Sequence, residues 1–360
     1  MSPSLEARAP GKVVLVGEYA VLDGCVGIVT AVDRFAKASA RPGTGVAPGA
    51  CTVTSGALGL VQAVLMRGSD GAIVSTDPLW STPRAGLVRA FLDHAWPGST
   101  ALPDVALELD TRAFAADHDP ERKLGLGSSA AIAVALGALA ARLRSPDTAL
   151  NRGSVFAEAL AAHGAAQHGA GSGIDLAAST WGGVLAYRRP AGPTLQPTLL
   201  RRLEWPRGVE LLVIDTGQPA STTELVRVVQ RHREAPAVAA VLAKLAETSD
   251  HAVAALARAD HRALFQLVSA YGRGMAELGA ACGVDIVSAA HQRAERVVTL
   301  KGGVYKPSGA GGGDVGIALA SSTAQRDELA SDLVRAGFGL LDVNRCATGV
   351  AFAGEGPRDV

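Results

Sequence analysis

Three short segments rich in small residues carry the residue types that phosphate chemistry needs. The first, KLGLGSSA (123–130), sets Gly125, Leu126, Gly127, Ser128, Ser129 and Ala130 immediately before an alanine-rich apolar run. A helix start offers unpaired N–H groups and about half a positive charge, so such a turn can cradle an anion. Glycines allow the backbone to approach phosphate oxygens closely, and serine hydroxyls can bind phosphate or a magnesium ion. No Gly-Lys-Ser/Thr follows, so this is not the Walker pattern. The turn satisfies GxGxxA, a dinucleotide-binding fingerprint, yet the polar DHDPERK precedes it where that fingerprint requires a buried strand. On these residues alone, a phosphate cradle and mere packing of small residues at a helix start both stay open.

The second segment, GAGSGID (169–175), ends in Asp175 at another expected helix start. A carboxylate there can orient or deprotonate a hydroxyl, or simply cap the helix. The third, KPSGAGGGD (306–314), contains three consecutive glycines that give several N–H groups room to converge on an anion. A hairpin needing positive φ angles is the alternative. Lys12 follows Pro10-Gly11, where its ammonium can neutralise phosphate charge or lie at an exposed strand edge. His163 and His168 are five residues apart, do not share a helix face, and read as polar-face residues and not ligands.

These residues need elements to hold them. KVVLVG and VGIVTAV are short β-branched runs expected as strands on either side of an Asp-Gly turn, and DVALELD (104–110) alternates like a half-buried strand. Ala130 to Leu143 is too long and alanine-rich for a strand, so it reads as a buried helix with Ser128 and Ser129 at its capping positions. A second helix is expected over Arg152–His168, then a short helix and a strand in DLAASTWGGVLAY. The proline-rich stretch 188–208 suggests a division into domains 1–190 and 191–360. Beyond it come a strand in VELLVIDTG, helices between about Thr222 and Ala281, and the strand that the third segment feeds. Strands and helices mix without regular βαβ alternation, so the expected class is α+β.

The bulk properties fit such a protein. The chain of 360 residues has room for two domains, and its 34 basic and 34 acidic residues leave no net charge to suggest a nucleic-acid or acidic-membrane partner. Four widely spaced cysteines form no CxxC, which argues against a zinc site and for a reducing compartment. The N-terminus lacks a signal-peptide pattern, and the most apolar run is shorter than the roughly 20 residues that span a bilayer. A cytoplasmic location without membrane partners is expected.

Taken in order and spacing, APGKVVLVGEYAVLDG, KLGLGSSAA and KPSGAGGGD closely resemble the three motifs of the GHMP family of small-molecule kinases. The resemblance spans nearly the whole chain. It implies an N-terminal domain like domain 2 of ribosomal protein S5 and a ferredoxin-like C-terminal domain, with the active site between them. Tyr19 after Glu18, the segment DTGQPASTTELV and Asp314 after the glycines favour the branch that phosphorylates phosphomevalonate in the mevalonate route to isoprenoids. DLAASTWGGVLAY keeps mevalonate as the alternative acceptor, and a dinucleotide-dependent oxidoreductase is the more distant alternative.

The resemblance further implies ATP and Mg2+ as cofactors, and a monomer or homodimer acting on a small molecule. Residues 125–130 would wrap the ATP phosphates, with Ser128 near the metal. Lys12 and Asp175 would be catalytic, and Tyr19, Ser172, Gly173, Ser221, Ala310, Gly311 and Gly312 would line the acceptor side. Where mevalonate kinases carry a magnesium-binding glutamate, this sequence places Gly164 beside His163, and Glu158 lies more than a turn earlier.

Overall fold

The structure is a computed structural model that describes residues 4–355 apart from 44–46, 99, 118, 167–170 and 192–194. In chain order the first half contains β1 (Leu5–Val16), β2 (Gly27–Pro42), β3 (Cys51–Ser55), β4 (Leu60–Arg67), β5 (Ile73–Ser75), α1 (Gly86–Ala95) and β6 (Val105–Asp110). There follow the two-stranded ribbon β7 (Ala115–Ala116) and β8 (Asp119–Lys123), then α2 (Ser128–Arg144), α3 (Arg152–Ala166), α4 (Ile174–Trp181), β9 (Val184–Arg188) and β10 (Leu199–Leu203). The remainder comprises β11 (Glu210–Asp215), α5 (Thr222–His232), α6 (Pro236–Ala257), α7 (His261–Cys282), α8 (Ala289–Leu300), β12 (Val304–Pro307) and β13 (Val315–Ala320), closing with α9 (Thr323–Arg335), β14 (Gly339–Leu341) and β15 (Ala351–Phe352).

The first sheet runs β10-β9-β2-β6-β3-β4-β5, with β1 paired to β2 and β15 to β1. Strand β2 is long enough to pair with β1, β6 and β9 at different points along its length. Helix α2 lies on β1 and β2, and every residue from Ala130 to Ala140 is buried. Alanine gives that segment both high helix propensity and the slim profile a fully surrounded helix needs. The C-terminal tail returns to this sheet: Val32 and Arg345 form a bridge, and Ala7 pairs with Phe352.

The second sheet has the order β12-β13-β11-β14, with every neighbouring pair antiparallel. With α9 between β13 and β14, and helices α5 to α8 between β11 and β12, this is the βαββαβ arrangement of a ferredoxin-like unit with an enlarged first helical crossover. Leu212, Ile214, Ala318 and Ala320 of its strands pack with Ala294 and Val298 of α8 and with Leu329 and Leu333 of α9. The expected α+β class and its two units are therefore present.

The expected division at 190/191 needs correction. It falls inside an antiparallel hairpin of the first sheet, because Leu199–Leu203 pairs with Val184–Arg188. The sheets separate after Leu203, and β15 carries the chain end back to the first one. Prolines on both sides of β10 disguise a strand that needs only its five ladder residues to be free of proline. The last part of the helix expected over 152–168, and the first two residues of the 169–175 loop, lie outside the described residues. No described helix is long and apolar enough to cross a membrane.

Candidate active site

Strand β1 delivers Lys12 to a cleft of about 560 Å³ that all three small-residue segments line. The Lys12 backbone N–H donates to the Leu126 carbonyl at 2.9 Å, and Nζ donates to the Gly125 carbonyl at 3.1 Å. The turn is thus fastened to the strand by backbone and side chain together. Gly125 has φ +70°, and a Cβ there would lie 2.6 Å from Cβ of Asp314, so only glycine lets the turn approach the third segment. A Cβ on Gly127 would stand 3.2 Å from Lys12 Cε and 3.8 Å from Asp175 Cβ, so the lysine and the aspartate both lie close against one glycine. Burial lowers the Lys12 pKa, against the raising effect of Asp175, Asp314 and Glu18.

Helix α2 begins at Ser128 behind Gly127, and no side chain among the described residues caps it. The serines expected as caps are instead the first two helical residues, and both line the cleft. The first i to i−4 bond runs from Ala131 N–H to the Gly127 carbonyl at 3.0 Å, so the N–H groups of the first turn are directed beyond the helix end. Helix α4 also starts behind a left-handed glycine, Gly173, and has Asp175 in its first turn, not at the cap. Asp175 Oδ1 accepts from Leu176 N–H at 3.0 Å. Ser221 caps α5 by accepting from Glu224 N–H at 3.4 Å, and Ser221, Thr222 and Thr223 line the same cleft. Three helix starts from both units meet one cavity, an arrangement that favours anions.

The third segment is held from both sides. Ser308 Oγ accepts from Val14 N–H at 2.8 Å and donates to the Val14 carbonyl at 3.2 Å, standing in for a strand neighbour of β1. The Tyr19 hydroxyl donates to the Ala310 carbonyl at 2.5 Å, and Gly312 N–H donates to the Ile286 carbonyl at 2.8 Å. Gly311 leaves no room for a side chain, since a Cβ would be 2.2 Å from the Ile286 carbonyl oxygen. Asp314, at φ +54°, accepts from Ala220 N–H at 3.2 Å. Burial raises its pKa against the effects of that N–H, Lys12 and Arg122.

Of the expected residues, Lys12, Tyr19, Gly125, Leu126, Gly127, Ser128 and Ser129 line the cleft, as do Ser172, Asp175, Ser221, Ala310 and Gly311. Three do not. Ala130 is fully buried because its Cβ faces the core beneath α2. Gly173 turns toward Tyr187 and Phe156 as the start of α4, and Gly312 faces Leu225 and Ala220. His163 also departs from expectation: it is 4% exposed, lines the cleft, and its Nε2 lies 3.3 Å from Ser129 Oγ. Glu158 pairs with Arg144 at 2.7 Å, so α3 brings an imidazole to the cleft and not that carboxylate.

Other contributors left weaker traces in the sequence. Arg122 of β8 forms a two-pronged pair with Asp215 at the end of β11, at 2.9 and 2.5 Å, joining the two units at the cleft mouth. Burial alone would raise the Asp215 pKa, but the Arg122 fork and the Gly217 N–H hold it below the usual carboxylate range. Glu18 and Lys306 form an ion pair whose side chains are 2% and 0% exposed. Glu18, Asp215 and Lys306 are each a lone charge beside apolar or glycine-rich residues, a pattern that signals a partner elsewhere.

His291 of α8 holds the third segment from below. The Gly313 carbonyl, 3.1 Å away, can only accept, so Nε2 carries the proton and Nδ1 accepts from the Tyr305 hydroxyl at 2.7 Å. Burial pushes its pKa down to about 4. A folded-state value below the unfolded one gives stability that is full above about pH 6.5 and is lost as the pH falls toward 4. Between pH 7 and 5 this histidine is expected to cost about 2 kcal/mol of folding stability. Urea titrations of the wild type and His291→Gln should therefore differ in pH slope over that window; equal slopes would refute the assignment.

The chain matches the GHMP kinases N terminal domain over residues 95–183. It is 35% identical to the phosphomevalonate kinase of Streptomyces sp. (strain CL190), with 89% of this chain and 91% of that protein covered. It is 32% identical to the mevalonate kinase of Aeropyrum pernix over 63% of this chain and 61% of that protein. Among solved structures, Streptococcus pneumoniae phosphomevalonate kinase in complex with phosphomevalonate and AMPPNP superposes with a TM-score of 0.75 at 19% identity, covering 94% of this chain and 99% of that one. That last likeness carries the fold alone.

Proposed function

Since the chain belongs to the GHMP kinase family, we propose that it moves the terminal phosphoryl group of ATP onto the phosphate of phosphomevalonate, giving diphosphomevalonate and ADP. The observation that carries this reading is the meeting of helix starts from both units at one cleft. The start of α2, with Gly125, Leu126, Gly127, Ser128 and Ser129, suits the nucleotide phosphates, and Ala130 anchors that turn in the core. The start of α5, with Ser221, Thr222 and Thr223, offers a second anion locus on the other unit, suited to an acceptor that is itself a phosphate. The 35% identity to a phosphomevalonate kinase supports the same choice.

Phosphoryl transfer rests on positioning and charge neutralisation more than on covalent chemistry. The new P–O bond forms to an acceptor oxygen as the bond to the departing ADP breaks. A phosphate monoester is largely ionised near neutral pH, so Asp175 is not needed as a strong base. It orients the acceptor and Lys12, while Lys12 relieves repulsion between two anionic groups. Tyr19, Ser172, Ala310 and Gly311 shape the acceptor side. The residues present fit a magnesium ion held mainly by phosphate oxygens and water, with the Ser128 hydroxyl as one ligand. Among the described residues no cluster of three or more histidine, cysteine or acidic side chains is placed to hold a metal, and magnesium ordinarily keeps several waters. When bound, the ion would screen the phosphate charges.

Mevalonate as acceptor is the second reading, favoured by the likeness to the Aeropyrum pernix enzyme. An ADP-release assay run in parallel with mevalonate, phosphomevalonate, homoserine and galactose decides between them. Turnover with phosphomevalonate is expected; turnover with mevalonate alone would reverse the choice, and tight NAD(P) binding without ATP binding would overturn the kinase assignment.

A further inference from the structure

Helix α3 contributes one polar side chain to the cleft that the transfer chemistry above does not use. His163 is buried in the wall, and its Nε2 stands 3.3 Å from the hydroxyl of Ser129 in the first turn of α2. A hydroxyl has one proton to give and lone pairs to receive. If imidazole Nε2 accepts that proton, Ser129 turns its lone pairs toward the cleft and repels an anion. If Nε2 carries the proton and donates to Oγ, the Ser129 O–H is left to point at a phosphate oxygen. A bound phosphate stabilises only the second arrangement, and consecutive donors in a sheltered site strengthen one another.

We propose that His163 is a positioning residue for the nucleotide, donating from Nε2–H to Ser129 Oγ so that the Ser129 hydroxyl donates to a phosphate of the bound nucleotide. The inference rests on the kinase reading above. It also gives α3 a role in the cleft although Glu158 is tied to Arg144.

Calorimetric binding of ADP without divalent cations tests this on the full chain. His163→Leu is expected to weaken ADP by about five- to tenfold, the value of one lost hydrogen-bond donor. The KM of the acceptor is expected to stay the same. His163→Gln, whose amide N–H can still reach Oγ, is expected to bind within about threefold of wild type. In a Ser129→Ala background, His163→Leu is expected to add less than about twofold, because the two side chains act as one unit. Wild-type affinity in His163→Leu, or effects that simply multiply in the double variant, would overturn the relay while leaving the kinase reading intact. A wild-type protein that binds no adenine nucleotide would overturn both.

Discussion

Lys12→Met is expected to reduce kcat by about 10³ at saturating substrates, in the range found for removing one preorganised donor from a charged transition state. Methionine keeps the buried stem and removes only the ammonium. The lost group donates to the Gly125 carbonyl and stands among Asp175, Asp314 and Glu18. Removing it leaves Asp175 and Asp314 facing two incoming anionic substrates without that ammonium. Asp175→Asn makes the complementary test. For an alcohol acceptor it would remove a general base, a loss of about 10²–10⁴. For a phosphate acceptor the base is dispensable, so a smaller loss of about 10- to 100-fold is expected, from orientation alone. Near-wild-type turnover in either variant would refute the assignment of that residue. Thermal midpoints should be measured alongside, since burial already costs Lys12 part of its charge stabilisation and methionine is expected to fold at least as well.

The parts of this site that were legible in the sequence are those whose chemistry is local. A glycine-serine turn entering an alanine helix declares itself, because backbone conformation and helix start both depend on adjacent residues. The same holds for Asp175 after its glycines and for the run Gly311 to Gly313. Local pattern failed wherever a residue's partner was far along the chain. Arg122 and Asp215 are 93 residues apart and Glu18 and Lys306 are 288 apart, so only the folded chain reveals that each charge has an answer. His163 reads as a polar-face residue and yet lines the cleft wall, because helical spacing reports which side chains share a face and not which face is buried. Strand β10 is not legible in the sequence because prolines outside a strand look like prolines within one. Gly173 and Gly312 belong to the right loops, yet they serve the turn and not the cleft.

Breaking the buried pair of Glu18 and Lys306, which joins APGKVVLVGEYAVLDG to KPSGAGGGD, is the second large effect expected. Glu18→Ala leaves the Lys306 ammonium with the Pro307 carbonyl at 2.5 Å and the Tyr271 ring at 5.6 Å, and with no opposite charge in contact among the described residues. Removing one partner of a buried pair typically costs about 3–5 kcal/mol, whereas replacing both by apolar groups of similar volume is often close to neutral. Glu18→Ala and Lys306→Met should therefore each lower the thermal midpoint by about 10 °C, and Glu18→Leu/Lys306→Met should recover most of it.

The direction of the pH dependence separates this account from simple loss of packing. Burial raises the pKa of Glu18 and lowers that of Lys306, and in the intact pair each charge opposes the other's shift. In Lys306→Met only the raised carboxyl remains, so the folded state holds its proton more tightly than the unfolded chain. Relative to the wild type, the contribution of this carboxyl to stability is greatest in acid and falls as the pH rises above the ordinary glutamate value. In Glu18→Ala only the lowered ammonium remains, so stability falls as the pH drops below the ordinary lysine value and recovers in alkali. Opposite slopes in the two single variants, and neither slope in the double, are the expected result of urea titrations across the pH range in which each variant folds. Parallel slopes would mean that the charges do not answer each other and that the chain around Glu18 and the third segment are joined by packing alone.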